Sequence, residues 1–419
     1  MPTTHDRRWW ARLGLIAGLG AIIRVAFTVL VTRRASVAGD QIYYSAQALT
    51  NSRGKWFEQP FQQGMPSADH PPLTSLILTP ITWLTEATGS FVTAQRLMMV
   101  VVGISGLVIV ALLAREVGGS RVGLIAASIT AVYANIWVND GLLMAESPTF
   151  LLVGSFTLVA MRFSASPSVG RAVTLGALVG LMALTRAELL LALPIAVVLA
   201  AVTLRPNRKE IVRVSSMVIA AAVTVLLPWV VWNQVRFENP VFLSTNDGLT
   251  LAGANCDRTY YEDVGSWDIW CAYHVEVPEN ADASEASALM RDEGLRYWSS
   301  HAKRFPVVAA ARVARVMSLG YFSSVNAAGE AEGRPTWVSV LGALQFWVLV
   351  PLAFVGFRAS DQRSRRWLLL AFWPIVLATV VIANAYVRFR VPAEVGLIVL
   401  AAAGVATIRP RSRSSFEST

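Results

Sequence analysis

The chain has 419 residues, 54% of them apolar and only 15% charged, with a mean hydropathy of +0.51. Length alone would allow two or three soluble domains, but a soluble globule carries roughly 25% charged residues, so the composition excludes one and indicates a membrane protein throughout. The net charge of +9 does not mark a nucleic-acid binder: the excess arginine falls in short loops between apolar runs, and no basic recognition helix or aromatic RNA-binding sheet is present.

A spanning helix needs about 20 apolar residues. Ten runs qualify, at 13–31, 97–114, 122–138, 145–161, 172–185, 188–204, 214–232, 337–357, 367–383 and 392–408, which predicts an all-α polytopic membrane bundle. The first run follows Arg7, Arg8 and Arg12 and leads into Thr32-Arg33-Arg34; it is longer than the apolar region of a signal peptide and is read as a retained helix. Two other apolar stretches are read as interfacial helices. Residues 71–86 are short and hold Pro71, Pro72 and Pro80, and residues 307–325 carry Arg312 and Arg315.

Orientation follows the lysines and arginines of short loops. With the N-terminus inside, the loops bearing Arg115 and Arg121, Arg162 and Arg171, Arg205, Arg208, Lys209 and Arg213, and Arg358, Arg363, Arg365 and Arg366 all fall inside, as do Arg409, Arg411 and Arg413 of the tail. The organisation expected is an N-terminal transmembrane module, 1–232, with a long first outer loop at 32–96. An outer region follows at 233–336, then C-terminal spans at 337–408 and a basic cytoplasmic tail at 409–419. No internal repeat is visible.

The residues able to carry chemistry then fall on the outer side. Arg24 is the exception, lying inside the first run, where an arginine is costly unless paired or snorkelling and is a functional candidate by default. The first loop opens with Gly39-Asp40-Gln41-Ile42-Tyr43-Tyr44 and closes with Ala68-Asp69-His70-Pro71-Pro72-Leu73. Asp40 suits either a helix cap or a general base. Asp140 reads as a turn residue. Glu146, at a helix start before Pro148, gains from the helix dipole. Arg186 and Glu188 form either a salt bridge across a tight turn or, through Arg186, a contact to an anionic headgroup. Cys256 and Cys271, the only cysteines, can pair in an oxidising compartment; around them Tyr260, Tyr261, Trp267 and Trp270 suit sugar binding or a self-packed lid. His301 stands alone, as structural histidines do. Arg388 and Arg390 precede a helix beginning near Pro392 and offer planar donor forks to a phosphate, against the positive-inside trend. Asp40, Asp69, His70 and Glu146 are donor types a divalent metal accepts, but their spacing demands none. Zinc-site spacing, a P-loop, a nucleophile elbow and a dinucleotide fingerprint are absent.

Taken in order, GDQIYY and ADHPPL, then MAESP, LTRAE and RFRVPAE resemble the GT-C fold glycosyltransferases that use polyprenyl-phosphate sugars. The resemblance is nearest to the family 39-like group of protein O-mannosyltransferases and the aminoarabinose transferase of lipid A, in the manner of actinobacterial members. It runs along nearly the whole chain, with motifs weak singly and more specific in order. It implies a multi-pass cell-membrane enzyme that moves a sugar from a polyprenyl-phosphate donor to an acceptor hydroxyl at the outer face, the acceptor being a glycan, lipid or protein. It places Asp40, Asp69 and Glu146 at the reaction centre. Tyr43, His70, Arg24, Arg186, Arg388 and Arg390 are left as substrate- and phosphate-binding candidates, and the first-loop acids as candidate ligands of a divalent metal. The chain departs from the group in having fewer spans than its larger members and in lacking their separate C-terminal soluble domain. Asp40-Gln41 stands where protein mannosyltransferases carry Asp-Glu, which weighs against a protein acceptor. The rival reading is a lipid or sugar transporter or flippase, which places ionisable groups at broken helices near the midplane, often with inverted repeats.

Overall fold

The computed structural model describes residues 4–35, 37–359 and 366–408. Arg363, Arg365 and the basic tail at 409–419 lie outside these. Among the described residues the chain is helical, without a β-strand: α1 (Thr4–Leu30), α2 (Asp40–Ser52), α3 (Leu73–Thr85), α4 (Phe91–Val132), α5 (Ala134–Asp140), α6 (Glu146–Ala165), α7 (Val169–Ala183), α8 (Ala192–Thr203), α9 (Arg208–Arg236), α10 (Asn246–Ala254), α11 (Ile269–Tyr273), α12 (Ala283–Ser300), α13 (Phe305–Val316), α14 (Phe322–Ala331), α15 (Thr336–Ala359), α16 (Trp373–Ile382) and α17 (Val391–Ile408).

Six of the helices are long and apolar enough to cross a membrane, and three shorter apolar ones lie at Val169–Ala183, Ala187–Thr203 and Arg366–Ile382. One of the six, α4, runs for 42 residues. At about 1.5 Å per residue it would be roughly twice the hydrocarbon thickness. It breaks at Gly118 and Gly119, the latter at φ 81°, a conformation that glycine adopts without the steric cost of a Cβ. Two spans therefore occupy α4, and the ten expected apolar runs are all helical.

The short basic loops gather at one end of this polytopic bundle. There Arg115 pairs with Asp6 at 2.6 Å, Arg162 with Glu116 at 2.9 Å, and Arg171 donates to the Arg162 carbonyl at 3.0 Å. The core lies between α4, α6, α7, α8, α15 and α17. Its centre is α17, in which Val391 through Ala402 are all buried, as expected of a helix apolar on every side. It crosses α15 at a small-residue contact: a Cβ on Gly356 would overlap the Leu400 carbonyl, and one on Gly404 the Leu352 carbonyl. Such close approach is how apolar helices associate when lipid removes the hydrophobic drive between them.

The stretches expected to be interfacial fold differently from each other. Residues 71–86 yield α3, which packs on α2 and α4 and exposes Trp83 and Leu84. In 307–325, however, the basic face of α13 turns inward. Arg312 donates to the carbonyls of Val381 and Ile382 at 2.7 and 3.2 Å, and to that of Ala254, while Arg315 reaches the Val264 carbonyl at 2.9 Å. The final carbonyls of a helix have no partner within it, so the ends of α16 and α10 attract the guanidinium, and α13 becomes a tie between the bundle and the polar lobe of α10–α12.

Candidate active site

At the end of the bundle opposite the basic loops, four segments distant in sequence meet: the start of α2, the start of α6, the turn before α8 and the turn before α17. Asp40 is the first residue of α2. Gly39 is the N-cap, at φ 57°, so the Asp40 carboxylate is not used as a cap and projects toward the turn Val387–Arg390. There Arg388 donates from Nη2 to Asp40 Oδ2 at 2.7 Å, and its Nη1 lies 3.4 Å from Glu146 Oε1. Glu146 begins α6, fully buried, and accepts from Arg186 Nη1 at 2.6 Å. Arg186 also holds Glu188 at 2.6 Å, so the turn-stabilising salt bridge and a link to the cluster coexist. Its guanidinium lies 4.2 Å from the Phe389 ring centroid, a cation–π contact that ties this turn to the next.

Behind Asp40, His70 Nε2 lies 3.7 Å from Oδ1. The imidazole sits between Tyr43 and Tyr44, with ring centroids 5.1 and 4.9 Å away. Burial tends to raise the Asp40 carboxyl, but the charges of Arg388 and His70 and the Arg388 hydrogen bond outweigh it and bring the group down to about 2. Asp40 is therefore anionic at any physiological pH.

The structure brings together Asp40, His70, Glu146, Arg186 and Arg388, and leaves out several other candidates. Arg24 is completely buried and saturated elsewhere: its Nε donates to Asp140 at 2.6 Å, and its Nη atoms reach the carbonyls of Gly20, Ala131 and Thr130 at 3.1 to 3.2 Å. The last two are free carbonyls at the end of α4, and Gly103 makes room for the Asp140 carboxylate, which a Cβ there would overlap. Arg24 is thus corrected from phosphate binder to internal tie, and Asp140 from turn residue to its counter-ion. Arg390 is corrected likewise. It donates to Glu394 at 2.5 Å and to the Val316 carbonyl at 2.7 Å, under the Phe346 ring, because alternate residues of a short helical turn point to different sides. Asp69 accepts from Gln59 at 3.0 and 3.3 Å and has no ion pair with the cluster. Tyr43 is turned inward, its hydroxyl 2.8 Å from Ser67, and supports His70 from behind.

The metal candidates do not form a ligand set. Among the described residues no group of three or more His, Cys, Asp or Glu side chains is disposed to hold a metal ion. Asp40 and Glu146 are engaged by guanidinium groups, and Asp69 by an amide.

The sequence reading missed Glu332. It follows α14 in Gly329-Glu330-Ala331-Glu332-Gly333 and places Oε1 2.8 Å from Arg388 Nη2; its backbone carbonyl accepts from Gln41 at 2.7 Å. The only signal in the sequence is an acidic, glycine-bounded turn just before a span. Glu332 and Arg388 line a cavity of about 590 Å³. Val340, Ala343, Leu344 and Trp347 of α15 form an apolar part of its lining, and Arg258, Asp263 and Asp268 a polar wall. That polar wall belongs to the lobe in which Cys256 and Cys271 are bonded to each other, Cα atoms 6.0 Å apart. His301 stacks on Tyr297 at 4.0 Å and is part of the same lobe, not of the cluster.

Residues 69–232 match the family model for dolichyl-phosphate-mannose-protein mannosyltransferase. That span contains Asp69, His70, Glu146 and Arg186, but neither Asp40 nor Arg388. No curated protein matches the chain significantly. Among solved structures, the archaeal oligosaccharyltransferase AglB from Archaeoglobus fulgidus, in complex with an inhibitory peptide and a dolichol-phosphate, is similar at a TM-score of 0.56 and 14% identity, over 95% of this chain and 50% of that one. ArnT from Cupriavidus metallidurans bound to undecaprenyl phosphate aligns at a TM-score of 0.46 and 15% identity, over 95% of this chain and 78% of that one. The S. cerevisiae Pmt1-Pmt2 complex bound to the sugar donor aligns at 0.44 and 14%, over 61% and 37%. The AglB likeness establishes the GT-C-type membrane fold. The chain spans about half the length of that relative.

Proposed function

We propose that this chain is a membrane glycosyltransferase that moves a sugar from a polyprenyl-phosphate donor to an acceptor hydroxyl at the outer membrane face. The observation that carries the reading is the ion pair of Asp40 with Arg388, 2.7 Å apart, in which Arg388 lines a cavity that apolar side chains of α15 also line. A polyprenyl phosphate has the same division, an anionic head on an apolar chain. The family match over 69–232 and the likeness to an oligosaccharyltransferase that binds dolichol-phosphate support the same class.

The chemistry follows from the charges. Arg388 meets the phosphate and neutralises charge as the bond from the sugar's anomeric carbon to the phosphate oxygen breaks. Asp40, anionic and held in place by Arg388, orients the acceptor hydroxyl and faces the positive charge that develops on the sugar ring. An anchored carboxylate this acidic is a weak base toward a free alcohol. It accepts the acceptor's proton late, once the new glycosidic bond has made that hydroxyl strongly acidic. The products are the glycosylated acceptor and the polyprenyl phosphate. Glu146 and Arg186 hold Arg388 in register from behind, and His70 holds Asp40.

The test is transfer from a panel of polyprenyl-phosphate sugars by the purified full-length protein and by Asp40→Asn. Loss of roughly 100-fold or more in kcat is expected for the variant. Unchanged transfer would remove Asp40 from its role, and absence of transfer or of donor binding across the panel would overturn the enzyme reading.

A further inference from the structure

We propose that Glu332 releases Arg388 to the donor's phosphate by taking up a proton, so that donor binding at this site is coupled to protonation of one carboxyl group. The proposal rests on the donor reading above and adds to it a named group and a linkage.

The geometry singles out Glu332. Three carboxylates lie on Arg388, those of Asp40, Glu146 and Glu332. Asp40 and Glu146 are on the side of the α2 and α6 starts. Glu332 lines the cavity together with Arg388, and so lies on the side from which a phosphate would approach. It occupies with its own oxygen a position that a phosphate oxygen needs.

The charges that face it do not favour a second anion. From α2 comes Asp40, with His70 behind it; from α6, Glu146; from the turn before α8, Arg186 and Glu188; from the turn before α17, Arg388 beside Tyr386. On its own segment comes Arg334, which donates to Asn135 at 2.5 Å and also lines the cavity and acts on Glu332. Four carboxylates thus stand against the three arginines Arg186, Arg334 and Arg388, and an arriving phosphodiester would add a further negative charge. A proton on Glu332 removes one of these charges and converts its oxygen from a competitor for Arg388 into an O–H donor for the phosphate. Burial, the largest influence, lifts this carboxyl to about 8; Arg388 opposes, Asp40 and Glu146 reinforce the rise, and Arg334 opposes it. The proton comes from solvent and stays on Glu332, and no covalent bond changes.

The segment is built to yield. No residue of α14 is buried, and positive φ at Ser318, Gly320, Tyr321 and Gly333 brackets it, a strained conformation for the two non-glycine residues. Glu332 can shift without opening a packed core.

The sign is fixed. A phosphodiester carries one charge that does not titrate between pH 6 and 10. Glu332 is neutral below about 8, so donor affinity is highest there and falls as pH rises through that value, by at most about tenfold per unit. The experiment measures binding of a polyprenyl methyl phosphodiester to the full-length protein in detergent at pH 6.5 and 9.5, with uncharged polyprenol as the control. The wild type should lose about tenfold or more in affinity at the higher pH. Glu332→Gln, an isostere of the neutral acid, should keep the low-pH affinity at both, and Glu332→Ala should also lose the slope. The same pH slope in Glu332→Gln as in wild type, or an affinity for Glu332→Gln at pH 6.5 well below that of wild type, would overturn the proposal. If the wild type prefers the phosphodiester to polyprenol at neither pH, the donor reading itself falls and takes the proposal with it, an outcome distinct from binding without a slope.

Discussion

Arginine does two different jobs in this protein, and sequence position alone does not separate them. Arg24, Arg312 and Arg390 are buried with no access to a ligand, and each reaches carbonyls at the end of a helix: α4, α16 and α13 respectively. Arg388, two residues from Arg390, meets three carboxylates beside a cavity. Substitution should distinguish the two classes. Arg24→Leu strands Asp140, buried and 2.6 Å from the lost guanidinium. An unpaired buried charge costs about 3–5 kcal/mol, so the yield and melting temperature of detergent-solubilised protein should fall steeply, and Arg24→Leu with Asp140→Leu should recover much of the loss. Arg388→Lys should behave in the opposite way. Lysine keeps the charge but cannot contact Asp40 and Glu146 at once through a planar fork. Melting should change little, while kcat/KM for the donor falls by roughly 100-fold, about 2.7 kcal/mol. A melting loss in Arg388→Lys as large as that of Arg24→Leu would move Arg388 into the structural class. Asp40, Glu146, Arg186 and Arg388 were legible in the sequence because each is a charge at the edge of an apolar run. Glu332 was not, since its contact with Arg388, 56 positions later, is made only by the tertiary path. Arg24 was misread for the matching reason, because its counter-ion lies 116 positions away.

Among the elements, the spans were the most legible. Lipid requires each span to satisfy its own backbone within a contiguous apolar stretch, so the signal is long and local. The helices of the polar lobe, α10 to α12, carry no such signal, and the break between α4 and α5 at Tyr133 is hidden inside the expected run 122–138. Packing between spans is visible in the sequence only as isolated glycines, yet it governs the site. Arg388 stands just ahead of α17, and the seat of α17 against α15 is the crossing at Gly356 and Gly404. Gly356→Val would force the Leu400 carbonyl away and displace α17. Melting temperature and donor affinity should therefore fall together, although the substitution lies far from any ligand. Gly14→Ala is the control, since a Cβ there meets nothing within 4 Å, and it should leave both unchanged. Loss of stability with full donor affinity in Gly356→Val would show that the cluster does not depend on this crossing.

For the molecule as a whole, charge is divided between the two ends of the bundle. The basic loops gather at one end, and Asp40, Glu146, Glu188 and Glu332 outnumber Arg186, Arg334 and Arg388 at the other. Positive loops are retained on the cytoplasmic side of a membrane, so the proposed function has the cluster face outward. Outward placement also suits a donor that carries its sugar on a lipid and needs no nucleotide. Sidedness can be tested directly because the two native cysteines are bonded to each other and leave little background for a single introduced thiol. Gln63, exposed in the loop between α2 and α3, belongs to the cluster end; Ser166, exposed between α6 and α7, belongs to the basic end. A membrane-impermeant maleimide added to intact cells should label Gln63→Cys and leave Ser166→Cys unlabelled until the membrane is opened. The reverse pattern would place the cluster in the cytoplasm and the basic loops outside, against the charge rule. The carboxylate–arginine cluster and its cavity would then need a substrate presented from the cytoplasm, and the acceptor class would have to be sought there.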